Sequence, residues 1–409
     1  MTGPSALRPA LWLLVLITFS GTLAMHMFVP ALPNAARDLG ASVTATQMTI
    51  SLYIVGLAVG QLVYGPLSDC FGRRPILLGG LVLYTAGGLA ALVAPEVHIL
   101  IGARLIQALG GCSGLVLGRA MVRDTAGSED AARRLAFMNL MVTVGPGLAP
   151  LVGGALAATL GWRSIFIVLS ALGVANLILT WRLLPETGRP SRTISVLSLG
   201  SDYKHLLCSP AFLGFSIGGG CATTSMYAFI AAAPFIFVDQ LHQPPQEVGL
   251  YLGVLVVGVS AGSALAGRLI GRIAIERLMI GANMVSVAGA VIFLITVLTG
   301  RMTVPTTIGL MILFTLGAGM ASPAALTKAI SVNPKVIGSA AGLYGFTQMV
   351  VGAVCTSLSG LGGNPAMAAG GVLAAAGLVG QVAFWIALRN EARFRPLPEI
   401  EPPASCGKG

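Results

Sequence analysis

Long apolar stretches recur along the whole chain, with short polar segments between them. A helix needs about 20 apolar residues to cross a bilayer core of about 30 Å, and twelve stretches are of this kind. We expect helices because a backbone that spans a membrane must satisfy its hydrogen bonds within its own segment. The predicted spans are 10–32, 46–68, 76–94, 99–118, 135–158, 164–181, 211–238, 248–267, 278–298, 304–326, 338–361 and 365–388.

The longest internal polar segment follows the sixth span and leaves six spans on each side. This arrangement is typical of a duplicated transporter, with the substrate path at the interface between two halves. We therefore predict an all-α membrane protein of two six-helix bundles. The predicted units are an N-terminal bundle at 1–184, a cytoplasmic linker at 185–210, a C-terminal bundle at 211–388 and a cytoplasmic tail at 389–409.

The composition excludes a soluble domain. Apolar residues make up 55% of the 409 residues and charged residues only 9%, against roughly 25% charged in ordinary soluble domains. The six cysteines have no metal-binding or CxxC spacing, so we interpret them as free thiols. There is no phosphate-binding loop and no catalytic cluster, so we expect no metal, no cofactor and no enzymatic activity.

The net charge of +10 indicates topology and not a nucleic-acid partner. Short cytoplasmic loops of membrane proteins are enriched in Lys and Arg. If both termini are cytoplasmic, 20 of the 24 Lys and Arg residues lie on that side. The four others are Arg37, Arg104, Arg163 and Arg301. We therefore predict cytoplasmic termini.

The polar segment at 65–75, between the second and third spans, is the most specific pattern in the chain. Its glycines permit a tight turn between two helices, and its basic pair holds the loop in the cytoplasm. We expect Asp69 to stabilise a helix N-terminus or to pair with Arg119 or Arg123. The matching segment at 267–272 is a weak echo that lacks the acid. Together with Asp124, the residues proposed to control conformational change here are Gly65, Asp69, Gly72, Arg73, Arg74, Arg119 and Arg123.

The segment 65–75 reads Gly-Pro-Leu-Ser-Asp-x-x-Gly-Arg-Arg-Pro and resembles the signature of the major facilitator superfamily. Stretches at 29–33, 47–66, 104–107, 123–124, 149–154 and 338–352 resemble its drug-exporting branch, the Bcr/CflA group of bicyclomycin and chloramphenicol exporters. The resemblance implies a fold that opens alternately to each side of the bacterial inner membrane. It also implies export of small amphiphilic compounds against proton entry.

The fifth span contains a run of glycine and proline at 145–154. Prolines remove backbone donors and bend a helix, and glycines let a neighbouring helix approach closely. The run can serve as a seal or hinge for conformational coupling, or as a packing kink without such a role. Its residues are Gly145, Pro146, Pro150, Gly153 and Gly154.

Arg104 is the only charged residue inside the predicted spans, and His26 is the only histidine there. A buried arginine is costly in a bilayer, so we expect Arg104 to face a cavity or a partner. Counting along the helices places both residues about 8–9 Å below the outer face, with Gln107 one turn deeper. The Bcr/CflA pattern has an acid where this chain has His26. We expect a neutral imidazole that accepts a hydrogen bond from the guanidinium, and it is either a proton relay or a cavity-lining group.

The remaining path residues are predicted from their positions in the middle of spans, where apolar and aromatic groups adapt to varied ligands. They are Tyr53, Asn139, Met141, Met226, Tyr227, Phe235, Tyr344 and Gln348. The sequence thus predicts a monomeric inner-membrane transporter that exports small amphiphiles, with protons as the coupling ion. A proton-independent facilitator or importer of a metabolite is the first alternative, favoured by the missing acid. A membrane enzyme or sensor is the alternative of another class.

Overall fold

The computed structural model describes residues 9–125, 128–188, 196–270, 272–333 and 337–393, and these residues are almost entirely helical. The first seven helices are α1 Leu11–Met27, α2 Leu32–Asp38, α3 Val43–Phe71, α4 Arg73–Leu92, α5 Val97–Thr125, α6 Ser128–Thr159 and α7 Arg163–Leu183. They are followed by α8 Val196–Leu207, α9 Pro210–Thr223, α10 Met226–Phe235, α11 Pro245–Leu269, α12 Ile275–Leu298, α13 Val304–Ser331, α14 Ile337–Ser359 and α15 Pro365–Arg393.

The helices confirm the predicted all-α membrane architecture. Eleven stretches of the described residues are long and apolar enough to cross a membrane. Helix α6 is 32 residues long, and its described residues contain a shorter apolar stretch at Gly147–Thr159. In the segment predicted as a linker, the structure contains a helix that the sequence analysis did not anticipate, α8.

The first span is broken in its last third, and the prediction that it ends at residue 32 is wrong. Helix α1 ends at Met27, a 3₁₀ turn covers Val29–Ala31, and α2 continues to Asp38. Pro30 has no N–H for a carbonyl four residues earlier, and its ring clashes with that carbonyl in a continuous helix. The carbonyl in question belongs to His26, so the break lies next to the candidate site.

The seventh span is also irregular. Helix α9 stops at Thr223 and α10 resumes at Met226. Pro234 interrupts the hydrogen bonds of α10, and a π-helical turn follows at Ile236–Gln240. Both interrupted spans face the opposite half of the molecule, where an irregular backbone lines a cavity and not lipid.

The two halves meet along two pairs of helices. Helix α3 packs against α14, and α6 packs against α11. We call the end of the bundle that contains the α3–α4 turn the basic end, and the opposite end the far end. At the far end Gln47 Nε2 donates to the Ala231 carbonyl at 3.2 Å, and Thr44 Oγ1 donates to the Gly360 carbonyl. The halves are therefore joined by hydrogen bonds at the far end.

Candidate transport site

A cavity of about 150 Å³ lies between the halves, where α1 and α6 meet α10 and α11. Among its described lining residues, His26 alone has a polar side chain. Pockets that hold drug-sized ligands measure roughly 300–1,000 Å³, so a ligand of that size requires the halves to separate. The lining consists of His26, Pro150, Met226, Ile230, Leu252, Leu255, Val256 and Val259.

His26 lines this cavity with a ring that keeps one nitrogen unpaired. Its side chain is 3% exposed, and Nδ1 lies 2.9 Å from the carbonyl oxygen of Thr22. A carbonyl only accepts, so Nδ1 carries the proton in the neutral ring. Nε2 has no partner among the described residues. The ring of Tyr227, from the other half, lies 6.1 Å away between centroids.

Arg104 is fully buried in a cage of aromatic rings inside the N-terminal half. Its Cζ lies 4.1 Å from the ring centroid of Tyr53, 5.4 Å from that of Phe28 and 5.8 Å from that of Phe166. Cations at such distances over ring faces are attracted by the negative π surface. Its Nη1 donates to Gln107 Oε1 at 2.7 Å.

The expected hydrogen bond from Arg104 to His26 is wrong. The guanidinium lies close enough for charge to act on the imidazole. However, Arg104 uses its described hydrogen bond on Gln107, and Nδ1 of His26 is engaged by its own helix. Phe28, which directly follows the end of α1, packs against Phe166 at 5.0 Å between centroids and forms part of the cage around the guanidinium.

The other predicted path residues separate into two groups. Met226 lines the cavity and Tyr227 lies beside the ring of His26, whereas Tyr53 and Phe235 are buried in the helix packing outside the lining. Tyr53 also donates to the Gly21 carbonyl at 2.7 Å. The side chains of Asn139 and Met141, on α6, lie outside the described residues.

Tyr344 and Gln348 belong to a polar cluster inside the C-terminal half. Gln348 Nε2 donates to the hydroxyl of Thr223 at 2.9 Å and to that of Tyr344 at 3.2 Å. Thr224 Oγ1 donates to the Gln348 carbonyl at 2.6 Å. These bonds stabilise the break between α9 and α10.

The glycine and proline run lets α6 pack closely against α1 of its own half and against α11 of the other half. A Cβ at Gly153 would lie 1.8 Å from the Met27 carbonyl oxygen, and one at Gly145 would lie 2.7 Å from the Phe19 ring. On the other side Pro150 faces the cavity, and a Cβ at Gly154 would have 3.7 Å of clearance. Helix α6 is continuous through this run. The side chain of Pro146 lies outside the described residues.

The turn at the basic end is shorter than predicted. Helix α3 continues through Gly65 to Phe71, so the prediction of a loop over 65–75 is wrong. Gly72 alone forms the turn, with φ of +96°, a conformation that favours glycine. Its N–H still donates to the Ser68 carbonyl at 2.9 Å, which ends α3 while the next residue begins α4.

Asp69 pairs with Arg73 at 2.5 Å, across the turn at i, i+4 spacing. The predicted partners Arg119 and Arg123 lie along the same cavity at the basic end as Asp69. Arg73 Nε also binds Asp124 at 2.9 Å, and this ion pair joins the α3–α4 turn to the end of α5.

Glu186, which the sequence analysis did not select, stabilises the N-terminus of α4. Its two carboxylate oxygens accept from the backbone N–H groups of Arg73 at 2.9 Å and Arg74 at 3.1 Å. Of the two roles considered for Asp69, the structure contains the ion pair with an arginine, and Glu186 holds the helix end. A carboxylate here accepts hydrogen bonds from backbone N–H groups that have no partner within the helix. It is also attracted to the partial positive charge of the helix N-terminus. The signal in the sequence for this role was the position of Glu186 directly after the sixth predicted span.

A second cavity of about 510 Å³ lies at the basic end between the halves. Its lining comes from the charged residues at the α3–α4 turn and at the end of α5, from α14, and from Tyr203 of α8. The sequence-predicted residues along it are Gly65, Asp69, Arg73, Arg119, Arg123 and Asp124.

The C-terminal half has a matching cluster with opposite charges, also missed from sequence. Lys328 near the end of α13 binds Glu276 at 2.5 Å and Glu391 at 3.0 Å. In the N-terminal half a base starts the third span and forms an ion pair with an acid at the end of the fourth span. In the C-terminal half an acid starts the ninth span, and a base ends the tenth.

Comparison with known proteins agrees with this architecture. The model of the Major Facilitator Superfamily matches residues 14–356. An uncharacterized MFS-type transporter of Bacillus subtilis, YdgK, is 29% identical over 94% of this chain and 96% of its own length. Multidrug resistance protein D of Escherichia coli is 31% identical over 86% of this chain and 88% of its own length. A chloramphenicol resistance protein of Pseudomonas aeruginosa is 29% identical over 79% of this chain and 77% of its own length.

The same architecture occurs in solved structures. A bacterial homologue of the human lysosomal transporter Spinster, solved in an inward-facing and unoccupied conformation, superposes with a TM-score of 0.75. Its sequence identity is 14%, over 95% of this chain and 98% of that one. This similarity establishes the fold. The predicted resemblance to drug exporters is confirmed by the sequence relatives.

Proposed function

Because the chain belongs to the Major Facilitator Superfamily of membrane transporters, we propose that it exports small amphiphilic compounds from bacteria in exchange for protons. The observation that carries this proposal is the apolar cavity between the halves with one imidazole facing it. Apolar walls with few polar anchors suit amphiphilic molecules better than sugars or other highly polar metabolites. The relatives named for resistance to chloramphenicol and to multiple drugs support the same substrate class.

His26 is the proposed coupling residue. Its ring lines the cavity, and its unpaired Nε2 can hold either a proton or a hydrogen-bond donor of the substrate, but not both at once. Binding of a proton to Nε2 therefore favours release of the substrate, and binding of the substrate favours release of the proton. This exclusion requires no carboxylate, so the absence of the acid found in the Bcr/CflA pattern is compatible with antiport.

The proposed cycle exchanges the contacts at the two ends of the bundle. Opening the far end requires loss of the bonds from Gln47 and Thr44 to the C-terminal half. We assign the basic end to the cytoplasm, because most Lys and Arg residues lie there. The Asp69–Arg73–Asp124 cluster holds α3, α4 and α5 together during this movement.

The proposal is tested by drug accumulation in liposomes that contain the purified protein, with and without an imposed pH difference. Export by proton exchange predicts uptake of a chloramphenicol-type compound only with the gradient, and loss of uptake in Arg104→Ala. The matched control is Arg301→Ala, which changes an exposed arginine at the far end. Equal uptake with and without the gradient would favour the alternative, a proton-independent facilitator.

A further inference from the structure

A row of buried polar side chains runs through the interior of the N-terminal half, away from the cavity between the halves. Asn176 and Thr180 are 0% exposed, and Ser170 is 4% exposed. All three lie on one face of α7 at helical spacing, and this face packs against α4. The side-chain polar atoms of these three residues have no partner among the described residues.

The row continues to the buried cation. Gln107 Nε2, and Arg104 Nε and Nη2, also have no described partner. Gln107 Nε2 and Ser170 Oγ both lie beside Gly88, at 3.1 and 2.7 Å from the position of a Cβ there. The two atoms are therefore close enough for one water molecule to bridge them.

Thr85 connects the middle of the row. Its hydroxyl donates to the Leu81 carbonyl at 2.8 Å and retains acceptor capacity. It lies 2.5 Å from the position of a Cβ on Gly173, which is between Ser170 and Asn176 on the same face of α7. From Ser170 to Thr180 the row extends about 15 Å at 1.5 Å per residue. It ends at the last turn of α7, where Arg74 Nη2 donates to the Trp181 carbonyl at 2.6 Å.

We propose that this row binds a file of ordered water that solvates Arg104 and connects it to the basic end of the molecule. Buried polar groups left unpaired are costly, and internal water satisfies them where several polar partners line a site. The cost is largest for a buried guanidinium that has no carboxylate partner among the described residues. The file supplies polar contacts that the aromatic cage does not.

The mixture of donors and acceptors identifies water and not an anion. An anion suits the donor groups of Arg104 and Gln107. Asn176 Nδ2 and the Thr180 hydroxyl can also donate to an anion, but an anion only accepts and leaves Asn176 Oδ1 without a donor. Water both donates and accepts, so it fits the whole row.

Radiolytic hydroxyl-radical labelling of the purified protein tests for this water directly. Tyr84 is 0% exposed, and its Cδ1 lies 2.9 Å from the Cβ position of Gly173, beside the row. Phe293 is equally buried in the C-terminal half, against the ring of Phe229, and serves as the control. We expect labelling of Tyr84 well above that of Phe293, and loss of this excess in Asn176→Leu. Labelling of Tyr84 no higher than Phe293 in the unmodified protein would overturn the proposal.

Thermal unfolding provides a second, independent measurement. If the row is dry, Asn176→Leu and Thr180→Val remove unpaired polar groups and raise the unfolding temperature. If it is hydrated, both substitutions interrupt the file and lower that temperature. Thr180→Val preserves side-chain shape, so it remains informative if Asn176→Leu does not fold. An unfolding temperature that rises with chloride concentration at constant ionic strength would instead indicate a bound anion and overturn the assignment to water.

Discussion

Gly153 provides the sharpest test of how α6 contacts the broken first span. A Cβ at this position would lie 1.8 Å from the Met27 carbonyl oxygen. Real Cβ atoms stay beyond about 3.0 Å from such a backbone atom, so Gly153→Ala must separate α1 and α6 by more than about 1 Å. Neither atom is at the end of a flexible side chain, so rotation of a side chain cannot relieve the contact.

The magnitude follows from two opposing effects. Overpacking of this kind costs typically about 1–3 kcal/mol, while alanine in a helix is favoured over glycine by roughly 0.5–1 kcal/mol. We expect Gly153→Ala to lower the free energy of unfolding by about 1–2 kcal/mol. Because Met27 follows His26 directly, we also expect slower transport.

The adjacent Gly154 is the matched control. Its nearest neighbours would lie 3.7 Å from a Cβ, which is ordinary contact. Gly154→Ala should therefore be neutral or slightly stabilising. The assay is thermal unfolding of both variants in the same detergent, followed by transport in liposomes. If Gly153→Ala unfolds at the same temperature as Gly154→Ala, the close contact between α6 and the break in α1 is refuted.

Three further predictions address the charged groups. Glu186→Ala should destabilise the protein by about 1–2 kcal/mol in denaturant unfolding, because two N–H groups of α4 lose their acceptor; unchanged stability would contradict the capping role. Lys328→Met should lower the unfolding temperature by leaving two carboxylates together, and adding Glu276→Gln and Glu391→Gln should recover it; no recovery in the triple variant would count against charge balance as the cause. Asp69→Asn should slow transport while leaving drug affinity unchanged in a binding assay, whereas a loss of affinity would place Asp69 at the binding site.

Hydropathy predicts the spans but not the second part of the first one. The twelve apolar runs mark the helices well because the bilayer imposes a length and a composition. Helix α2 contains Asn34, Arg37 and Asp38, so a hydropathy pattern excludes it although its backbone continues the span. Similarly, α3 continues past Pro66, because the missing N–H affects only one bond near the helix end.

Long-range partners are harder to derive from one sequence. Counting along the helices predicts that His26 and Arg104 lie in one layer. The aromatic cage around Arg104 depends on the direction of Phe28 after the break. The link from Glu186 to Arg73 joins residues more than a hundred positions apart. The charge-reversed cluster in the C-terminal half shares no sequence identity with its counterpart, so only its position in the fold reveals it.

The central claim is that a proton and the substrate compete for Nε2 of His26 in the cavity between the halves. Proton release during drug binding to the purified protein, measured at acidic pH in weak buffer, tests it most directly. His26→Gln keeps an acceptor near the Nε2 position but has no proton to release. The account predicts proton release by the unmodified protein and none by His26→Gln, with binding retained in both. Equal proton release by the two proteins would contradict it.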